Sequence, residues 1–318
     1  MVKSITLMTN RKEIHTCKVL SNTHLAKDMV SLEISWQGTQ PAAGQFFLLK
    51  PLRSNVFLSR PISIAGCSIE NFDEAGGKNA EEFRLNFMIA VKGQGSSELS
   101  SLQPREEINL TGPLGNSWLD FLPPLDSEEN GETENEPKPI ALVGGGIGIA
   151  PLLAFADELN RAEAAKQEHS EPVMQKSIIF DFFAGFRSAP FIPDIVKNLE
   201  CRSLIIATED GSGAGSGGSR NSAGFGAGSG SSIAAGRITE FLYPTLYRAI
   251  FACGPEPMLR AVAETCKTAK VPCFISMERL MACGVGACLG CTIKTINGNR
   301  CCCSDGSIFD AREIVFNG

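Results

Sequence analysis

Ile140-Ala-Leu-Val-Gly-Gly-Gly-Ile-Gly-Ile-Ala-Pro-Leu-Leu-Ala-Phe-Ala156 is the stretch on which the fold turns. It opens as a short buried strand and passes through a glycine cluster. Leu152, Phe155, Ala156, Leu159 and Ala162 then recur at the spacing of one helix face. The apolar window runs for 17 residues, short of the roughly 20 that a membrane-spanning helix needs, and Asp157 and Glu158 follow it at once. A strand that becomes a helix through glycine reads as the first unit of a parallel α/β sheet.

The texture agrees on both sides. Downstream, SIIFDFFAGF, SLIIAT and AIFACG are further strand candidates, and Met258, Leu259, Val262 and Cys266 line a helix face. Upstream, HTCKVLSNTHLAKDMVSLEISW, GQFFLLKP, RPISIAG and FRLNFMIAVKG are strand-type runs divided by Gly, Pro and Asn, the pattern of a small antiparallel barrel or sandwich. The expected fold is therefore an all-β unit followed by an α/β unit, with a small Cys- and Gly-dense unit at the end. Three tracts read as insertions: residues 70–82, polar and Gly/Asn-rich; the acidic run at 126–138; and 211–236, almost all Gly, Ser and Ala. Such compositions bury too little apolar surface to offset their ordering entropy, so they read as solvated connections, and 211–236 as disordered.

With 318 residues, 43% of them hydrophobic, the chain has material for more than one core. Lys and Arg total 29 against 35 Asp and Glu, a net charge of −6 that argues against a nucleic-acid surface. No secretory or membrane segment is read, and a cytoplasmic location is expected. His15, His24 and His169 are the only histidines, which leaves little room for imidazole chemistry.

Six of the twelve cysteines crowd into Cys283–Cys303. Cys283, Cys288 and Cys291 have the spacing C-x4-C-x2-C, and Cys301, Cys302 and Cys303 follow the Asn297-Gly298 turn. This is the plant-type pattern of a [2Fe–2S] cluster. Two sulfide-bridged irons need thiolates from nearly all sides, so the chain must wrap them tightly, and Gly284, Gly286 and Gly290 permit that bend. Structural zinc prefers paired C-x2-C knuckles, which fits poorly here. Spacing alone leaves the fourth ligand open among Cys301, Cys302 and Cys303.

The junction Gly144-Gly145-Gly146-Ile-Gly148 suits a diphosphate, because glycines admit close backbone approach and a helix start offers unpaired N–H groups. Read from Gly146 it is G-x-G-x-x-P rather than the usual dinucleotide fingerprint. A second nucleotide feature, Cys253-Gly254-Pro255-Glu-Pro-Met258, follows the strand AIFA, at the edge where open α/β sheets bind ligands.

Taken in order, Arg60-Pro61-Ile62-Ser63-Ile64, Lys92-Gly-Gln-Gly95-Ser96-Ser97, Gly112-Pro-Leu-Gly-Asn116, the glycine junction, the CGPEPM box and the C-terminal cysteines resemble the flavoprotein ferredoxin reductases. With its all-cysteine cluster the chain is similar, within that group, to the electron-transfer subunits of NAD-linked (type B) dihydroorotate dehydrogenases, over essentially its whole length except the three insertions. The resemblance implies an FAD-binding barrel at 9–116, an NAD-binding α/β domain at 139–270 and a [2Fe–2S] domain at 274–318. It implies that Arg60 holds the flavin diphosphate and that Pro61, Ile62 and Ser63 lie near the isoalloxazine. Met88, Ile89, Ala90, Gly95 and Ser96 would supply further flavin contacts. Gly144, Gly145, Gly146 and Gly148, with Cys253, Gly254 and Pro255, would place the nicotinamide of NAD.

Asp305-Gly-Ser-Ile-Phe309 matches the family's Asp-Gly-Pro-Val-Phe and picks Cys303 to join Cys283, Cys288 and Cys291 as the metal ligands. Gly95-Ser96 stands where the family has Gly-Thr, which keeps the hydroxyl. The implied function is electron transfer from an FMN-containing dihydroorotate-oxidising partner, through [2Fe–2S] and FAD, to NAD⁺ in pyrimidine biosynthesis, in a heterotetramer of two chains of each kind. No acid–base residue is expected, since electron transfer between cofactors needs none. The rival is a reductase subunit of the NAD(P)H–ferredoxin or sulfide dehydrogenase type. Those relatives tend to carry Asp in place of the first cysteine, so Cys283 favours the pyrimidine subunit. Arg187-Ser188 could meet a 2′-phosphate but reads as a plain surface loop.

Overall fold

The computed structural model describes residues 13–70, 82–124, 138–169, 178–197, 199–214 and 231–316. The first strands are β1 (Ile14–Ala26), β2 (Met29–Trp36), β3 (Phe46–Pro51), β4 (Arg60–Glu70) and β5 (Glu82–Ala90). The short helix α1 (Gln94–Ser100) and β6 (Glu107–Leu114) follow. The six strands close into an antiparallel barrel in the order β1-β2-β5-β4-β3-β6. Alternation drives the closure: Val30, Leu32, Ile34, Phe47, Leu49, Leu85, Phe87, Ile108 and Leu110 all turn inward and are buried. The barrel anticipated from the sequence is present.

The glycine junction is built as read, with β7 (Ile140–Gly145), a single tight turn at Gly146–Gly148, and α2 (Ile149–His169). After β8 (Phe180–Phe186) and the one-turn α3 (Asp194–Lys197) come β9 (Ser203–Thr208) and β10 (Ser231–Ala235). Next are β11 (Ala249–Cys253), α4 (Glu256–Ala269) and β12 (Cys273–Ser276). The tail forms the hairpin β13 (Thr292–Thr295) and β14 (Gly298–Cys301), and then β15 (Ile308–Asp310). One seven-stranded sheet runs β10-β9-β8-β7-β11-β12-β15, parallel except for the last pair. Helices cover both faces, so β7 alternates between two cores. Ile140 and Leu142 join the barrel and α2, whereas Ala141 and Val143 join α4 and the cysteine segment. Helix α4 buries Leu259, Val262, Ala263 and Cys266 on one face.

One expectation is corrected. The Gly/Ser-rich tract read as disordered over 211–236 ends earlier, because Ser231–Ala235 pair in parallel with Leu204–Thr208. Neighbouring backbone, rather than strand propensity, recruits this Ser/Ala segment. The other two polar tracts, 70–82 and 126–138, lie outside the described residues except at their ends. The cysteine segment does not stand apart: β15 completes the large sheet beside β12. Among the described residues no helix is long and apolar enough to cross a membrane.

Candidate functional site

Four of the six cysteines of the tail fall into two pairs. Cys283 Sγ accepts from the backbone N–H of Val285 and of Cys288, each at 3.4 Å. The second pair is Cys291 and Cys303, whose sulfurs are 3.3 Å apart, with Gly286 N donating to Cys303 Sγ at 3.1 Å. Two irons bridged by sulfides need two thiolates each, and that is the division the loop offers. The N–H bonds, Val285 first, lower the Cys283 thiol to about 6, so it ionises readily. Burial, reinforced by Cys291, raises Cys303 to about 12, and a metal must displace its proton. Cys301 turns away to Thr292 Oγ1 at 3.6 Å. Cys302, fully buried, packs in the apolar core and is raised to about 12 by burial.

The residues read as flavin contacts gather on one wall of the barrel. Arg60 lies against Gly95 so closely that a Cβ on Gly95 would sit 2.5 Å from Arg60 Nε. That Nε is buried without a partner, while Nη2 donates to Leu58 O at 2.9 Å. A buried guanidinium N–H left open beside a bare backbone suits an anionic ligand. Ser96 Oγ accepts from Lys92 N and Gly93 N at 2.9 and 3.1 Å, which shapes the turn into α1. Strand β4 changes partner in the middle: Arg60–Ser63 pair with β3, and the ladder to β5 begins only at Ile64–Phe87. Met88, Ile89 and Ala90 pair with β2 on one side and so turn their other side to no strand, where a ring system could take backbone bonds.

The nucleotide edge forms where β7 and β11 end side by side. A Cβ on Gly148 would lie 2.4 Å from Cys253 O and 2.7 Å from Gly254 Cα. One on Gly145 would meet Met258 Sδ at 2.6 Å and Pro255 Cδ at 2.9 Å. The two motifs therefore pack backbone on backbone, and glycine is the side chain that permits it. Gly144 is held the same way by Ile149, while Gly146, at φ +56°, has nothing within 4 Å and faces open space. Burial, then the Glu278 carboxylate, push the Cys253 thiol far up, against a small opposing effect of the Ser276 hydroxyl, so it stays neutral. Arg187 is exposed on the loop after β8, as a surface residue would be.

Strand β3 joins these regions. Phe47 and Leu49 face the barrel core, while Phe46 and Leu48 face the core that contains Cys291 and Cys303. A Cβ on Gly284, at φ +67°, would meet Leu48 at 2.7 Å and Leu114 at 3.3 Å. Register pairs Phe46 with Ser63 and Leu48 with Pro61, and directly opposed residues share a face. Ser63 and the cysteine loop thus lie on the same side of the barrel wall. Asn116 clamps the arrangement, donating to Ile308 O at 2.9 Å and accepting from Ile308 N at 3.0 Å. The sequence marks Asn116 as part of a motif without indicating this clasp, and nothing in it points to Glu278.

The donor sets fit the groups the sequence implies: two thiol pairs for a diiron cluster, an open guanidinium N–H and a free strand edge for a flavin, and a tight glycine junction for a dinucleotide.

Comparison with known proteins bears on the same segments. A family model described as the iron–sulfur cluster binding domain of dihydroorotate dehydrogenase B matches residues 278–315. The chain is 32% identical over 299 residues, 94% of its length, to the dihydroorotate dehydrogenase B (NAD⁺) electron transfer subunit of Clostridium perfringens, 97% of which is covered. The corresponding subunit of Clostridium acetobutylicum is 31% identical, with 96% of this chain and 99% of that one covered. Among solved structures, a chain of the NADH-dependent reduced ferredoxin-NADP oxidoreductase superposes with a TM-score of 0.64 at 17% identity, covering 94% of this chain and 89% of that one. A ferredoxin NADP⁺ reductase from Neisseria gonorrhoeae gives a TM-score of 0.51 at 16% identity over 80% of this chain and 91% of that one. These last two show a shared fold.

Proposed function

We infer the function of this chain from the family to which it belongs, the electron transfer subunits of dihydroorotate dehydrogenase B (NAD⁺). It is an oxidoreductase component that links oxidation of dihydroorotate by a partner chain to reduction of NAD⁺, a step of pyrimidine biosynthesis. The overall reaction is dihydroorotate + NAD⁺ → orotate + NADH + H⁺, two electrons and two protons leaving the dihydropyrimidine and a hydride equivalent reaching the nicotinamide. When bound, [2Fe–2S] and FAD supply one-electron relay and hydride chemistry respectively.

The chain's own residues position these groups. Cys283, Cys288, Cys291 and Cys303 would hold the cluster, and the N–H groups of Val285, Gly286 and Cys288 would stabilise its thiolates. Arg60 binds the flavin diphosphate, Pro61, Ile62 and Ser63 line the isoalloxazine, and Met88–Ala90 with Gly95 and Ser96 give it backbone support. Gly144, Gly145, Gly146 and Gly148, with Cys253, Gly254 and Pro255, would seat the dinucleotide. The neutral Cys253 thiol packs there and takes no proton. On this reading 9–116, 139–270 and 274–318 are the FAD, NAD and cluster units. The partner carries FMN, the assembly has two chains of each kind, and the complex works in the cytoplasm.

The single observation that supports the reading most is the β3 wall, which sets Ser63 on the face where Leu48 meets the cysteine loop. Full-length chain prepared anaerobically with iron and sulfide should carry flavin and iron–sulfur absorption bands and a low-temperature EPR signal after reduction. Dihydroorotate-dependent NADH formation should require the partner. Turnover of dihydroorotate by this chain alone overturns the division of labour, and a silent EPR spectrum overturns the cluster.

A further inference from the structure

Phe57 is the most exposed large hydrophobic side chain among the described residues, at 89% of its full surface, and the next most exposed aromatic ring, Tyr243, is at 40%. Exposure alone explains nothing, since single apolar residues are common on surfaces. The setting of this ring is more specific. The loop between β3 and β4 that carries it is pinned at several points. Lys50 Nζ donates to Phe57 O at 3.0 Å and Arg60 Nη2 to Leu58 O at 2.9 Å. Ser54 Oγ and Asn55 N bind the Glu98 carboxylate of α1 at 2.5 and 3.3 Å. The ring is therefore held outward by a tied loop.

Its neighbours along the chain are the flavin residues, in order. Ser63 lies on the isoalloxazine wall, and three residues before it Arg60 offers an unpartnered Nε to the diphosphate. Three residues earlier again stands Phe57. Each step spans at most about 10 Å of extended chain, a reach comparable with the half of a dinucleotide on either side of its diphosphate. The Arg60 guanidinium, bonded to the Leu58 carbonyl, touches the residue next to Phe57. The end of FAD that leaves the diphosphate away from the flavin ring is an adenosine, whose flat base pairs well with an exposed ring.

We propose that Phe57 is the platform on which the adenine of FAD stacks, and that it makes the site select the dinucleotide over FMN. This rests on the flavin reading above. Lys50 ties the Phe57 carbonyl and Arg60 the Leu58 carbonyl, so the backbone under the platform is fixed.

The test is a fluorescence titration of full-length, flavin-depleted chain with FAD and, separately, with FMN. Loss of base stacking in Phe57→Ala should raise the FAD dissociation constant about 5- to 150-fold while leaving that of FMN within about twofold. Phe57→Trp should restore wild-type FAD affinity. An FAD affinity unchanged in Phe57→Ala overturns the proposal, as would occur if the ring served a partner protein instead. An equal fall for FAD and FMN also overturns it, because that marks damage to the loop. A wild-type chain that binds neither flavin defeats the underlying flavin reading, and is distinct from binding that ignores residue 57.

Discussion

Gly148→Ala should break the nucleotide edge in a way that can be worked from the backbone. The added methyl would sit 2.4 Å from Cys253 O, 2.6 Å from Cys253 C and 2.7 Å from Gly254 Cα. None of these is a flexible side-chain end. Cys253 is held in β11 between β7 and β12, where it pairs with Gly144 and Ser276, so relief requires parting two strand ends. Overpacking against fixed neighbours costs about 1–3 kcal/mol, and this case belongs at the upper end. About 3 kcal/mol lowers the melting temperature by about 6–12 °C, and up to about 150-fold appears in the KM for NADH if the loss falls on binding. The control is Gly146→Ala, whose methyl meets nothing within 4 Å but sits at φ +56°. That change costs about 1–2 kcal/mol of backbone strain, so the fold should lose only a few degrees. Because the methyl projects into the open mouth, KM should still rise. The assay is NADH-driven reduction of a dye by the full-length flavoprotein, with thermal unfolding in parallel. If Gly148→Ala leaves both KM and melting temperature at wild-type values, the backbone-on-backbone account of the two motifs is wrong.

Other outcomes follow from the same geometry. Cys303→Ser should lose the iron–sulfur absorption and EPR signal, whereas Cys301→Ser and Cys302→Ser should keep both, because of the three sulfurs it is that of Cys303 that meets Cys291 Sγ and takes the Gly286 N–H. Arg60→Ala should weaken FAD about 10- to 150-fold in a binding titration, the scale of charge-assisted hydrogen bonds. Gly95→Ala should approach that loss by driving the guanidinium from its seat. Burial, opposed by the Ala43 N–H and by Arg161, raises the Glu158 carboxyl. Between its ordinary and its raised value the folded chain then holds the proton that the unfolded chain releases, so stability falls as pH rises through that window. Melting curves from pH 4 to 8 should show this slope in wild type and a flatter one in Glu158→Gln.

The sequence spelled out the parts whose physics is local. A strand-to-helix glycine turn, a Cys-x4-Cys-x2-Cys loop and alternating apolar strands each carry their own signature, and each is found where it was read. What escaped depends on partners remote in the chain. Ser231–Ala235 has the composition of a linker and becomes a strand because β9 offers it an edge. Ile308–Asp310 is too short to announce itself and joins the sheet through β12 and the Asn116 clasp. Three consecutive cysteines look alike in sequence; the end of β14 at Cys301 and the turn that follows it send one sulfur to Thr292, one into the core and one to Cys291.

The double duty of β3 has a consequence for how such a protein can change. With Phe47 and Leu49 lodged in one interior and Phe46 and Leu48 in another, a single-residue insertion would exchange the two sets and spoil both at once. Excising the tail would strip the cover from Phe46, Leu48 and Leu114 and leave a greasy scar on the barrel. The redox modules are therefore not cassettes to be shuffled between reductases at will; a graft that brings the tail must bring the matching strand with it.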